Sequence, residues 1–442
     1  MGTAAADLTR VFHLEPDALR CPHATFDRLR AEEPVTFAPE IDCWIVSRFE
    51  DIVWVARHPE LFSSKRPTGP IIARQQRQLA EELFGEEPEL AERISLIPGG
   101  TRVLLNADPP DHMRQRKLVN RAFVPPKVKS IEPRIREVAN HLVDAFADRG
   151  EAELVQEYGV LLPLTIIAEC LGVADGDLPM FQRWSDDFVA AIGNLEMTKE
   201  MMRAQLLSQH EFFVYFSERI AERRLHPRDD LITDVVNATL DGEPLADHEI
   251  LWMFNQFLVA GNETTTKLIA SSVRVLLEQP ELAARLRADP SLIAGFVEEV
   301  LRLESPVQGL YRTATADTEI GGVPIAAGQH VLLLYAAGNR DDAKFPEPTE
   351  LDPCRVNAMQ NLAFGHGEHY CLGSALARAE GRIALEVLLE RLDDIRPAPG
   401  VELDELTYEP SFILHGLQRL PIVFSASCPE RGSGGSQSIS TG

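Results

Sequence analysis

The residues best equipped for chemistry stand together in the stretch 364–373, which reads Phe-Gly-His-Gly-Glu-His-Tyr-Cys-Leu-Gly and runs straight into a helical pattern over 374–390. A cysteine just ahead of a helix N-terminus faces free N–H groups and the positive end of the helix dipole. Cys371 is therefore placed where the thiolate is favoured. Gly365 and Gly367 allow left-handed or bulged backbone around it. An anionic sulfur there could ligate iron, act as a nucleophile, join His366 and His369 around zinc, or be a buried thiol. Zinc lacks a fourth ligand at useful spacing, and a nucleophile lacks an adjacent base held by a third group.

Three further groupings carry charge or exchangeable protons. Glu263 stands beside Thr264 within Ala260-Gly-Asn-Glu-Thr-Thr265, in the middle of a helical pattern over 247–276. Glycine and threonine weaken a helix there, the first by about 1 kcal/mol relative to alanine, and an acid next to an alcohol can pass a proton. Glu299 and Arg302 are three apart and share a helix face, which on most surface helices is a solvated pair. His112 and Arg116 are four apart after the turn Asp108-Pro-Pro-Asp, so they project together and suit a carboxylate.

The cysteine stretch resembles the haem-binding loop of the cytochrome P-450 family, Phe-Gly-x-Gly-x-His-x-Cys-x-Gly, at every fixed position. That resemblance implies haem b (iron protoporphyrin IX) with Cys371 as the iron ligand, and Phe364 packed beside it. Gly365, Gly367 and Gly373 would shape the turn, and His369 would reach a propionate. An axial thiolate pushes electron density onto iron and favours O–O cleavage. Glu299 and Arg302 resemble the family's Glu-x-x-Arg motif, and Arg355 its third member, a structural cluster that supports haem retention. By the same resemblance His112, Arg116 and Arg312 pair with propionates, and Thr264 and Glu263 are the alcohol and acid of an oxygen-binding groove. The likeness covers about residues 15–424.

The implied reaction is insertion of one oxygen atom from dioxygen into a small hydrophobic organic substrate, by hydroxylation or epoxidation. Electrons would come from NAD(P)H through separate partners, a ferredoxin and its reductase, since no four-cysteine pattern is present and the haem domain takes up the chain. A peroxide-driven enzyme, or one that forms or rearranges bonds, would share every haem motif. A non-catalytic haem or ligand binder would not need the acid and alcohol. Substrate-facing candidates are Phe257, Ala260, Val307, Gly309, Leu310 and Ile413, with the small Gly309 and Ala260 leaving space above the iron. Lys267 departs from an apolar interior and is expected on a solvated or carboxylate-paired face. Arg114, Lys117, Arg121 and Arg378 are expected to form a basic docking patch for the acidic ferredoxin.

These residues need a scaffold, and helical periodicity dominates: Ile131, Ile135, Val138, Leu142 and Phe146 recur at three and four residues, with the same rhythm over 162–172, 203–224, 244–276, 291–303 and 374–390. Strand signals are short, at 35–37, 44–46 and 331–334, and as a hairpin through Gly321-Gly322 between 318–320 and 323–325. The expected fold is mainly α with small peripheral β-sheets, and the resemblance makes it the family's triangular helical prism enclosing haem. No linker or repeat interrupts the chain, so 1–426 reads as one catalytic domain, with 427–442 a disordered tail.

Composition narrows the partners. The 442 residues carry 43 basic and 68 acidic side chains, a formal net charge of −25, which disfavours nucleic acid and anionic membrane. No stretch is long and apolar enough for a membrane anchor, and the N-terminus lacks the order of a signal peptide. The six cysteines are scattered, as suits a reducing compartment. The expectation is a cytoplasmic, bacterial-type monomer.

Overall fold

The computed structural model describes residues 4–95, 97, 101–240 and 242–426. The tail 427–442, expected to be disordered, lies outside the described residues. The predicted helical stretches appear as Pro125–Ala147, Leu161–Cys170, Lys199–Leu225, Asp247–Glu278, Ile293–Glu304 and Ser374–Arg391. The longest, Asp247–Glu278, has 32 residues and a run of buried side chains from Thr265 to Ser272. Burial all round fits a helix in the middle of a large protein rather than at its surface. It packs on Leu161–Cys170, Ile293–Glu304 and Ser374–Arg391, and their Leu, Ile, Val and Phe side chains form the largest apolar cluster.

The strands are short; the largest sheet packs its own apolar clusters, while Ala152, Leu392, Ile422 and Phe424 of a smaller one join the helical core. A five-stranded sheet runs in the order Val35–Ala38, Cys43–Val46, His330–Leu333, Leu310–Ala314, Phe62–Ser63. The glycine hairpin forms as expected, Thr318–Ile320 pairing with Val323–Ile325. Gly321 and Gly322 both take positive φ (56° and 85°), which a tight two-residue turn of this kind requires. A three-stranded sheet of Leu392–Pro397, Pro421–Ala426 and Glu151–Glu153 was not foreseen.

The central helix continues unbroken through Gly261. Thr264 and Thr266 donate their hydroxyl protons to the carbonyls of Ala260 (2.9 Å) and Asn262 (3.1 Å), one turn back. Such bonds compete with the ladder and bend helices without ending them. Gly261 has a packing role as well, since a Cβ there would meet Ile167 at 3.3 Å.

Candidate functional site: a thiolate loop, its polar surroundings and the central helix

Between Phe364 and Cys371 the chain closes a tight loop, with the Cys371 N–H donating to the Phe364 carbonyl at 2.9 Å. Gly365 and Gly367 adopt φ of 68° and 70°. A Cβ on Gly367 would also collide with the carbonyl of Ala56, so the loop is seated on the end of the Phe49–Ala56 helix. Gly373 differs: its φ is −84° and a Cβ would meet nothing within 4 Å among the described residues, so the turn itself does not require glycine there. Burial pushes the Cys371 thiol up, while the N–H groups of Gly373 and Ser374 and the cations Arg116 and Arg378 pull it down. Those amides belong to the start of Ser374–Arg391, the helix-terminus placement read from the sequence. The Phe364 ring lies against Arg378, whose guanidinium is 4.4 Å from its centroid.

His112, His369, Arg116 and Arg312 converge beside this loop. The two imidazoles lie face to face, centroids 4.1 Å apart. His112 is 2% exposed, and its Nδ1 and the Nε2 of His369 are both buried without a hydrogen-bond partner. Burial first, then Arg116, lowers His112 to about 4; burial first, then Arg312, lowers His369 to about 2. Arg312, buried on its strand, donates to the Tyr311 carbonyl at 2.8 Å and bonds the Tyr335 hydroxyl. Neither Arg116 nor Arg312 has a carboxylate partner within ion-pair distance among the described residues. Buried cations and orphaned imidazole nitrogens are costly unless something anionic meets them. This donor set fits the two carboxylates of a haem, with the Cys371 sulfur beside it for the iron.

The Glu299 cluster is of another kind. Arg302 Nε and Nη2 grip Glu299 at 2.7 and 2.8 Å, both side chains fully buried, and Arg355 Nε adds a bond at 2.9 Å. The remaining Arg302 donors reach the carbonyls of Asn339, Pro348 and Glu350 at 3.0, 2.6 and 2.9 Å. The Asp352 N–H closes the fourth bond to Glu299. The acid is held below its usual range: burial opposes ionisation, but Arg302, the Asp352 amide and Arg355 outweigh it. Gly295 permits this, as a Cβ there would strike the Pro353 carbonyl.

On the central helix Thr264 follows Glu263, whose carboxylate pairs with Lys267 one turn on. Lys267 is 2% exposed, so of the two settings expected for it the carboxylate-paired one applies and the solvated one does not. Ala260, by contrast, is exposed on a helix that is otherwise largely buried. Ile413 joins Val307 and Leu310 in one apolar cluster, the backbone bridge Val307–Leu414 and the Gln308 N–H to Ile413 carbonyl bond (2.7 Å) fixing the approach. Phe257 is elsewhere, packed against Phe123 and Phe254 in a separate cluster. Gly309 has a different reason from the space proposed for it: a Cβ would come within 2.5 Å of the Leu333 carbonyl in the neighbouring strand. In the expected basic patch, Arg114 pairs with Glu249 and Arg378 with Glu298, while Lys117 and Arg121 are exposed.

Sequence reasoning missed Glu298, Tyr335 and Glu380. Glu380 is fully buried on Ser374–Arg391, burial raises it far above the carboxylate range, and it bonds the Thr265 hydroxyl across the helix interface. No local pattern marks such partners, which lie over a hundred residues apart in the last case.

Residues 57–415 match the family model described as Cytochrome P450. Cytochrome P450 107B1 of Saccharopolyspora erythraea is 37% identical over 90% of this chain and 94% of its own. A steroid C26-monooxygenase of Mycobacterium tuberculosis is 33% identical over 93% of this chain and 96% of its own. Among solved structures, the cytochrome P450 CYP109Q5 of Chondromyces apiculatus superposes with a TM-score of 0.79 at 36% identity, over 94% of this chain and 98% of that one. Fold, signature loop and relatives agree, and the chain belongs to the cytochrome P450 family of haem-thiolate monooxygenases.

Proposed function

We propose that this protein inserts one oxygen atom from dioxygen into a hydrophobic organic substrate, with electrons from NAD(P)H delivered by a separate ferredoxin and reductase. The observation that carries the reading is the meeting of Cys371 with His112 and His369, each with an unpartnered ring nitrogen, and with Arg116 and Arg312, neither of which has a carboxylate partner among the described residues. Haem bound through a thiolate supplies the reductive activation of dioxygen.

The chain's own residues do the rest. Burial leaves the Cys371 thiol raised on balance, the amides of Gly373 and Ser374 with Arg116 and Arg378 offset part of that, and a bound iron would supply the rest of the pull towards thiolate. Arg116, Arg312 and the two imidazoles bind the propionates by charge-assisted bonds. The Thr264 hydroxyl, already donating to Ala260, keeps its lone pairs to accept a proton or a water, and Glu263 connects it towards solvent. Val307, Leu310 and Ile413 offer an apolar surface to the substrate, in keeping with relatives named for steroid and mycinamicin oxidation. On the electron-transfer side the exposed cations Lys117 and Arg121 are the free candidates for an acidic ferredoxin.

The test is turnover of an apolar substrate under oxygen-18 gas with a ferredoxin, its reductase and NADPH. Incorporation of one labelled atom per product is expected. Unlabelled product formed only when peroxide is supplied would make the enzyme peroxide-driven.

A further inference from the structure

Lys267 is a fully internal cation on the central helix, and its surroundings come from three elements. Glu263 pairs with it from one turn back and is 15% exposed. The segment 406–417 lies against it: a Cβ on Gly416 would collide with the Lys267 stem. From the same segment Glu409 feels the lysine's attraction, although burial and the negative charge of Glu263 leave its carboxyl raised. His415, lowered to about 4 chiefly by burial, lies within range of Lys267 as well. Across from them on Leu178–Val189, Asp186 reaches the surface but is partly desolvated, and that desolvation first, then the charges of Glu263, Asp187 and Glu409, raises it to about 6. Asn262 donates to the Ser185 hydroxyl at 3.1 Å, pinning that helix to the central one beside this group.

The buried lysine is thus paired with one carboxylate, which adjoins Thr264, and packed against the segment that carries a second, Glu409, together with Ile413; the Glu409 N–H donates at 3.0 Å to the carbonyl of Gly416, the residue against the lysine stem. We propose that Lys267 is a positioning residue shared by Glu263 and Glu409. Paired with Glu263, it holds that carboxylate aligned along the helix. Drawn towards Glu409, it releases Glu263 to carry a proton between solvent at Asp186 and the Thr264 hydroxyl. The proposal rests on the reading of Glu263 as the proton-carrying acid.

Its signature is a pair of opposite shifts. Removing a nearby cation makes a carboxylate harder to ionise, and removing a nearby anion makes it easier. The experiment compares haem-loaded wild type with Lys267→Met, Lys267→Arg, Glu409→Gln and Glu263→Gln. Two readouts are taken against pH: the infrared carboxyl band of the resting protein that disappears in Glu263→Gln, and product formed per nicotinamide oxidised. The band's midpoint is expected to rise by about one unit or more in Lys267→Met, to fall by less in Glu409→Gln, and to stay put in Lys267→Arg. The pH profile of product yield should move with it. Unmoved midpoints in both Lys267→Met and Glu409→Gln overturn the proposal. Should Lys267→Met fail to hold haem, Glu409→Gln decides alone, since that change leaves the lysine paired. If Glu263→Gln yields as much product per nicotinamide as wild type, the acid reading fails; if it yields less while the midpoints stay fixed, only the role of Lys267 fails.

Discussion

The Glu299 cluster and the His112 group both bury charge close to the cysteine loop, but they treat it in opposite ways. Around Glu299 each acceptor and donor is matched: two arginines and an amide on the carboxylate, backbone carbonyls on the guanidinium groups. Around His112 two ring nitrogens have no partner and two arginines have no carboxylate. A saturated network holds the fold whether or not anything binds. An unsaturated one is stable only with its ligand, because desolvated polar groups cost about 1–3 kcal/mol each until they are bonded. Burial alone therefore does not separate a structural charge from a binding one, whereas the gathering of unmet imidazoles and carboxylate-free arginines around one cysteine does.

The largest effect expected is in the saturated cluster. Arg302→Ala strands the Glu299 carboxylate with one arginine fewer, and breaking a buried pair costs about 3–5 kcal/mol. Denaturant melts of the haem-free protein should show that loss directly. If haem-free Arg302→Ala melts like wild type, the cluster is not structural and the contrast collapses.

Cys371→Ser should come next, as a spectral rather than a folding defect. The loop's backbone bond from residue 371 to Phe364 survives the change, but a hydroxyl cannot replace thiolate donation. The red-shifted Soret band of the ferrous carbonyl form should vanish while the melt stays near that of wild type. An unshifted band would remove Cys371 as the ligand.

Arg116→Ala probes the unsaturated side. A charge-assisted bond is worth about 1.5–3 kcal/mol, so haem should dissociate roughly ten- to a hundredfold faster. The haem-free protein should be no less stable, since Arg116 has no carboxylate to lose. Equal destabilisation of the haem-free form would mean that the arginine is structural after all. Thr264→Ala should change neither melt nor haem retention, for its hydroxyl bonds only its own helix. Its effect should appear as peroxide formed in place of product per nicotinamide oxidised.

What was legible beforehand follows from how far apart the partners lie in the chain. The cysteine loop is contiguous, so its residue types and spacing could be read directly, and so could the glycine hairpin and the helical periods. Spacing alone marks Glu299 and Arg302 only as a pair, and their structural role comes from the resemblance, because their burial depends on carbonyls from 339 and 348–350. The sheet of Glu151–Glu153, Leu392–Pro397 and Pro421–Ala426 escaped notice for the same reason: it joins segments far apart in the chain, and Leu-Asp-Asp-Ile-Arg-Pro carries no alternation. Gly309 carries a packing reason that its sequence neighbours do not reveal, since the close approach of the Leu333 carbonyl is not visible until the strands are paired.

The smallest effect separates the two regions by pH alone, in haem-free protein. His112, at about 4 in the fold, would titrate near 6.5 when unfolded. Its folded value is depressed, so the unfolded chain takes up its proton first, and stability present above 6.5 is lost as the pH falls from there towards 4. Glu299 is also depressed, from an ordinary 4.5, so its contribution holds down to about that value and is lost only below it. The histidine loss therefore comes first on acidification and the carboxylate loss second. His23 and His415, lowered to about 3 and about 4 by burial, fall in the first window too, so one residue carries only a share. His112→Phe keeps a ring and removes the titration, and should flatten the decline between 6.5 and 4 without touching the decline below 4.5. Urea midpoints for wild type and variant at half-unit steps of pH would resolve the two limbs. A variant whose curve parallels that of wild type throughout would show that the buried imidazole already finds a partner in the haem-free fold, and that the His112 group is less unsaturated than its geometry implies.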